Sequence, residues 1–240
     1  MNTNIVVIGF QKCGTTAFIN EIASRSNVVL FTGPNGHLEV AWPQIQVIET
    51  ADSFNRYKNM ILVHKFAAYY MNDVALNYLV SSNKDRHYVL FIRDLRKILV
   101  SWHKMHSSIA LKGLLKNHFA YLERDFYSNC VLRDYYFKRR NAFRHDIFFS
   151  NILKTIPVNK LIVVSQEFLA KNIKHATNLI LGSIDVEDES VIVDAGYDQN
   201  YHGYADDPYK EVPEDIMKEL NTYNSALINS VKNSGARLFL

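Results

Sequence analysis

Cysteine is scarce in this chain, with only Cys13 and Cys130 among 240 residues. Two thiols are too few for a disulfide framework or a four-ligand zinc site, so reduced thiols are expected. Long apolar runs are missing as well, and no stretch approaches the roughly 18 residues of a membrane-crossing helix. Met1-Asn2-Thr3-Asn4 carries no basic n-region and leads straight into a strand-like run, which predicts a soluble, cytoplasmic protein without a membrane span. Charge of one sign is not abundant: a net +3 and a pI near 8.7 suit an anionic ligand but fall short of a nucleic-acid binder's dense basic footprint. There is no internal repeat, low-complexity tract or linker. With 48% hydrophobic and 21% charged residues the chain can bury a full core, and residues 1–240 are read as one domain.

What is present is a series of short, continuous apolar runs. Ile5-Val6-Val7-Ile8 ends at Gly9, and behind it Phe18, Ile19, Ile22 and Ala23 recur at helical spacing, a strand-loop-helix pattern. Met60-Ile61-Leu62-Val63 ends in His64-Lys65, Tyr88-Val89-Leu90-Phe91-Ile92 in Arg93-Asp94, and Leu161-Ile162-Val163-Val164 in Ser165-Gln166-Glu167. Such runs, separated by helical segments, predict a parallel sheet covered on both faces, with ligands at the carboxyl ends of its strands. A helical insertion is expected at about 109–150, rich in Phe119, Tyr121, Phe126, Tyr127, Tyr135, Tyr136, Phe137, Lys138, Arg139, Arg140 and Arg144. Its main reading is an aromatic face in the core and a basic face in solvent; acceptor binding is the alternative. Pro213-Glu214-Asp215 opens a last helix running to about Lys232.

The loop after the first run has the composition of an anion site. A glycine-bearing turn feeding a helix N-terminus presents backbone N–H groups and a positive dipole end, which Lys12, Thr15 and Thr16 can supplement. The nucleotide-triphosphatase pattern places Lys and then Ser/Thr after its second glycine. Here Gly9 and Gly14 keep the glycine spacing, but Thr15 follows Gly14 and the lysine stands ahead of it.

Gln11-Lys12-Cys13-Gly14-Thr15-Thr16-Ala17 resembles the 5′-phosphosulfate loop of sulfotransferases that use 3′-phosphoadenosine 5′-phosphosulfate (PAPS). Arg93-Asp94-Leu95-Arg96-Lys97-Ile98-Leu99-Val100-Ser101 is similar to that family's 3′-phosphate segment, which implies that Arg93 and Ser101 clamp the 3′-phosphate. Within the family the chain looks closest to the enzymes acting on heparan-type polysaccharides. His64-Lys65-Phe66-Ala67-Ala68-Tyr69-Tyr70 resembles their acidic-Lys-x-x-x-Tyr segment, implying that Lys65 reaches the sulfuryl group. Gly36-His37-Leu38-Glu39-Val40-Ala41-Trp42 resembles the segment of their catalytic glutamate, implying Glu39. Leu95 and His64 depart from the family's proline and acid, and Tyr201-His202-Gly203-Tyr204 is the candidate for the loop closing over the nucleotide.

The resemblance implies a P-loop-like three-layer α/β sandwich with a central parallel sheet, PAPS as donor and adenosine 3′,5′-bisphosphate as product. The donor site would be Gln11, Lys12, Cys13, Gly14, Thr15, Thr16, Arg93 and Ser101. The acceptor would be a hydroxyl or amine of a glycan, with a small alcohol or phenol as the alternative. By analogy with phosphoryl transfer, Lys12 and Lys65 would stabilise charge while a base takes the acceptor proton. Glu39 is the first candidate base and His37 its nearest rival, ahead of His64, His103 and His106. His103 and His106 stand at helical spacing but lack a third ligand, so no metal is expected. Two further readings remain: a P-loop kinase of a small molecule, and a non-catalytic nucleotide-binding protein.

Overall fold

The computed structural model describes residues 3–33, 39–40, 57, 60–66, 68–81, 85–184 and 208–240. His37 and the Tyr201–Tyr204 loop lie outside the described residues. Six strands form one sheet: β1 (Thr3–Gly9), β2 (Val28–Leu30), β3 (Ile61–Lys65), β4 (Arg86–Ile92), β5 (Leu161–Ser165) and β6 (Arg237–Phe239). Their order is β2-β3-β1-β4-β5-β6 and every neighbouring pair is parallel. The described helices are α1 (Thr15–Ala23), α2 (Asp73–Ser81), α3 (Leu95–Lys112), α4 (Phe119–Leu122), α5 (Arg124–Asn129), α6 (Leu132–Arg139), α7 (His145–Thr155), α8 (Gln166–Lys171), α9 (Ile173–Ile184) and α10 (Glu214–Lys232). With helices flanking the sheet, the architecture is the covered parallel sheet expected from the apolar runs and the P-loop-like α/β sandwich that the resemblance implied.

The four runs become β1, β3, β4 and β5, and β4 and β5 are buried along their whole length, as a parallel sheet covered on both faces requires. The two edge strands are only three residues long, too short to leave a periodic signature. Strand order reverses at β1, with β3 on one side and β4 on the other, and an open α/β sheet binds its ligands beyond the strand ends at such a reversal.

Contacts divide the chain into two compact units. The first comprises Met1–Ile92, Phe148–Asp198 and Ser230–Leu240 and holds the sheet; the second comprises Arg93–Ile147 and Gln199–Asn229. The second unit is helical and built around aromatic rings. Trp102, Tyr127, Tyr135, Tyr136 and Phe143 are all buried there, and the Tyr135 hydroxyl lies 2.5 Å from Nδ1 of buried His106. Its basic residues are engaged close by. Arg133 reaches Asp215 at 2.8 Å, Arg140 reaches Glu219 at 2.5 Å, and Lys138 pairs with Glu123. Arg144 bonds Asp146 at 2.8 Å and lies over the Tyr223 ring, while Arg139 covers Phe119. Tyr127, Tyr135, Tyr136 and Phe143 therefore supply core while Phe137 stays exposed, and Arg133, Lys138, Arg140 and Arg144 pair within their own unit.

His145, at the start of α7, is fully buried, and that burial pushes its pKa down to about 3 despite the neighbouring Asp146. The ring is neutral in the fold, whereas in the unfolded chain it takes a proton below about pH 6.5. The unfolded state thus binds more protons between these values, and stability should fall as pH drops from about 6.5 towards 3, by up to about 1.4 kcal/mol per pH unit. Urea unfolding at about pH 7.5 and about pH 5 should show a loss near 2 kcal/mol that is much smaller in His145→Leu. An equal loss in the variant would assign the pH dependence to other groups.

Candidate active site

The first unit contributes a loop, a helix N-terminus and a buried lysine. β1 stops at Gly9, and the chain turns through Lys12 at φ 63° and Gly14 at φ 89° before α1 begins at Thr15. Gly14 is required twice over. Its left-handed conformation strains any residue with a side chain, and a Cβ there would lie 3.2 Å from Leu169 Cδ2 and 3.3 Å from Gln166 Cγ. Cys13 is wholly buried, Gln11 and Lys12 are half-buried and Thr16 is exposed.

α1 also differs from other helices in how it begins. Asp94 caps α3 by accepting from the Arg96 N–H, and Ser165 caps α8 by accepting from the Phe168 N–H at 3.0 Å. α1 has neither a side-chain cap nor an acid in its first turn. Its first N–H groups have no acceptor within the helix and the dipole is positive there, which suits an anion.

Beside this turn stands Lys65. β1 and β3 pair with Val7 opposite Lys65, and the Phe66 N–H continues the ladder to the Val7 carbonyl at 3.1 Å. The Lys65 side chain is only 3% exposed, and its ammonium donates to Thr16 Oγ1 at 3.0 Å and meets Glu39 Oε1 at 3.2 Å. The structure thus brings Thr16, Lys65 and Glu39 together. His64 occupies the adjacent strand position, so its ring points to the other face of the sheet, against Tyr69. Glu39 is held from behind by Val40, whose N–H donates to the Lys65 carbonyl at 2.8 Å and whose carbonyl accepts from the Tyr69 hydroxyl at 2.6 Å. No role was read for Tyr69 from sequence, although its Lys-x-x-x-Tyr spacing from Lys65 carried the signal.

Arg93 and Ser101 belong to the second unit. Arg93 follows β4 directly, and Ser101 sits half-buried on α3 two turns beyond Asp94. Asp94 organises this turn. Burial alone would raise its pKa, but hydrogen bonds and charge from Arg96, with Asn224, hold it below the usual carboxylate value. Asn224 donates to Asp94 at 3.1 Å and accepts from the Leu95 N–H at 3.0 Å, so one amide on α10 secures both the cap and the helix start. With 130 residues between them, nothing in the sequence points to this pairing. His103 lies 2.9 Å from the Cys130 carbonyl and His106 contacts Tyr135, which gives both rings structural partners. Among the described residues no three His, Cys, Asp or Glu side chains are grouped to hold a metal.

No family model and no curated protein matches the chain. Solved structures do. A sulfotransferase from Alicyclobacillus acidocaldarius aligns over 96% of both chains at 13% identity with a TM-score of 0.56. The sulfotransferase domain from the curacin biosynthetic pathway covers 79% of this chain and 76% of its own, at 14% identity and TM-score 0.49. The sulfotransferase domain from the Synechococcus PCC 7002 olefin synthase covers 94% and 88%, at 12% identity and TM-score 0.46. At this level of identity the likeness to the first is one of fold. The protein is a P-loop-like α/β sandwich, and more particularly it has the fold of a sulfotransferase.

Tyr69→Phe removes one hydroxyl from a buried position and leaves the Val40 carbonyl without that donor. It should cost about 1–3 kcal/mol in denaturant unfolding while keeping a cooperative transition. No measurable loss would mean that the hydroxyl does not secure the segment carrying Glu39.

Proposed function

We propose that the protein is a PAPS-dependent sulfotransferase that transfers a sulfuryl group to a hydroxyl or amine of an acceptor. The observation that carries the proposal is the buried Lys65 ammonium held between Thr16 of the first turn of α1 and the Glu39 carboxylate. The residues fit an anionic donor. The start of α1 carries no acid, Gly14 permits the left-handed turn that leads into the helix, and Lys12 and Lys65 offer positive charge beside it. Arg93 would bind the 3′-phosphate through the planar fork of its guanidinium, with Ser101 as a second donor.

Bound PAPS supplies the sulfuryl group. Lys65, shielded from water, stabilises charge growing on the departing phosphate oxygen more strongly than a solvated lysine would. Glu39 is 41% exposed on the side chain, so its carboxylate can meet an incoming acceptor while staying paired with Lys65. The sulfur–oxygen bond to phosphate breaks as a bond forms from sulfur to the acceptor's oxygen or nitrogen, and the acceptor's proton passes to Glu39. The products are the sulfated acceptor and adenosine 3′,5′-bisphosphate.

A carbohydrate is the favoured acceptor, because the Glu39 and Lys65 segments resemble those of polysaccharide sulfotransferases. A small neutral alcohol or phenol is the second reading. It is favoured by the internal pairing of Arg133, Lys138, Arg140 and Arg144, which leaves these cations committed to acids of their own unit.

Calorimetric titration with adenosine 3′,5′-bisphosphate, without magnesium, should show binding that Lys12→Ala and Arg93→Ala each weaken by about 10- to 100-fold. Preference for ATP with magnesium would replace the proposal with a kinase. Glu39→Gln should keep the bisphosphate affinity and lower kcat by about 100-fold or more. Unchanged turnover would remove Glu39 as the base.

A further inference from the structure

The turn between α3 and α4 exposes every residue from 111 to 117. Its sequence is Leu111-Lys112-Gly113-Leu114-Leu115-Lys116-Asn117, and the three leucines are 60%, 49% and 62% exposed. The turn is held in place. Gly113 ends α3 at φ 64°, the Leu114 N–H donates to the Ile109 carbonyl at 3.1 Å, and the His118 N–H donates to the Leu115 carbonyl at 2.7 Å. Leu115 itself has a φ of 55°, a left-handed conformation that a branched side chain resists. Single exposed leucines are ordinary, but three within five positions, one on strained backbone, form an apolar tip presented to solvent.

The charges carried by the tip itself have one sign. Lys112 and Lys116 flank the leucine pair and are exposed, and residues 95–122 contain no aspartate or glutamate, the next acid being Glu123, which pairs with Lys138. Of the three other cations of that span, Arg96 pairs with Asp94, Lys104 pairs with Glu211, and Lys97 lies at the start of α3, about four turns from the tip. The attraction is therefore left mainly to the lysines of the tip. This composition distinguishes the occupant. Protein interfaces concentrate Tyr, Trp and Arg and are depleted in Lys, and leucine is under-represented at their hot spots. Aliphatic side chains ringed by lysine suit a bilayer interface, where the leucines enter the acyl boundary and the ammonium groups meet anionic headgroups.

We propose that residues 111–116 dock the protein on an anionic membrane surface, with Leu111, Leu114 and Leu115 inserted and Lys112 and Lys116 at the headgroups. Docking of this kind is reversible and needs no membrane-crossing segment. It would bring the second unit, which carries Arg93 and Ser101, to a lipid surface whether or not the sulfotransferase reading holds.

The test is co-sedimentation of the full chain with vesicles of phosphatidylcholine alone and of phosphatidylcholine mixed with phosphatidylglycerol. The expected result is partition onto the anionic vesicles only, weakening as salt rises. Leu114→Ser with Leu115→Ser should lower the partition coefficient at least about 10-fold, and Lys112→Ala with Lys116→Ala should lower it by about 5-fold per lysine. The unfolding temperature of each variant checks that the fold is kept; since all four positions are exposed, it should hold. Absence of binding to anionic vesicles, or equal binding by the leucine variant, overturns the proposal. A change of oligomeric size in the leucine variant with vesicle binding unaltered also overturns it, and assigns the tip to a second copy of the chain.

Discussion

A buried ammonium has to find counter-charge and hydrogen-bond acceptors, and much of the first unit is arranged around Lys65 for that reason. The lysine enters the interior as the last residue of β3, whose register against β1 places it beside the start of α1. Thr16 and Glu39 then satisfy it from two different segments. The glutamate in turn depends on Val40, which is tied to the Lys65 backbone and to the Tyr69 hydroxyl. Lys65 is the buried member of the set, so removing Glu39 would leave its ammonium without a counter-charge in the interior. An arrangement that satisfies a buried cation through a carboxylate and a hydroxyl is also one that can hold acid-base and anion chemistry ready at one point.

The second unit is assembled on another principle. Edge-to-face ring contacts and buried tyrosines supply its core, and arginine or lysine side chains from 133–144 are tethered to acids that include Glu219 and Asp215 of α10. Each exposed pair contributes little alone. Their collective effect is to secure the last helix against the preceding ones, and Asn224 on that helix then reaches Asp94 and the start of α3. The turn carrying Arg93 is thereby braced by a residue near the far end of the chain.

The strands that cross the sheet interior were legible because a parallel strand buried on both faces needs an unbroken apolar run, and residues 5–8, 60–63, 88–92 and 161–164 each supply one. β2 and β6 were not, since three residues at an edge carry no period. The anion loop was readable from Lys12, Gly14, Thr15 and Thr16 because its chemistry is local, set by backbone conformation over a few residues. Cys13 was read with its neighbours as a binding residue, and in the fold that residue is wholly buried. The basic and aromatic stretch after residue 109 had two readings by composition alone. The structure shows Arg133, Lys138, Arg140 and Arg144 paired with acids, Arg140 with Glu219 about 80 residues away.

By itself, the sequence determined the strand-loop-helix start, the lysine ahead of Gly14 and the parallel α/β class, because each follows from short-range sterics and burial periodicity. Only the tertiary structure decided that Lys65, Thr16 and Glu39 meet, that His64 turns to the opposite face, and that Tyr69 and Asn224 stand behind the site residues. The physical reason is that these relations are set by strand register and by hydrogen bonds between segments tens of residues apart. No local propensity encodes them; they exist only once the sheet has aligned its strands.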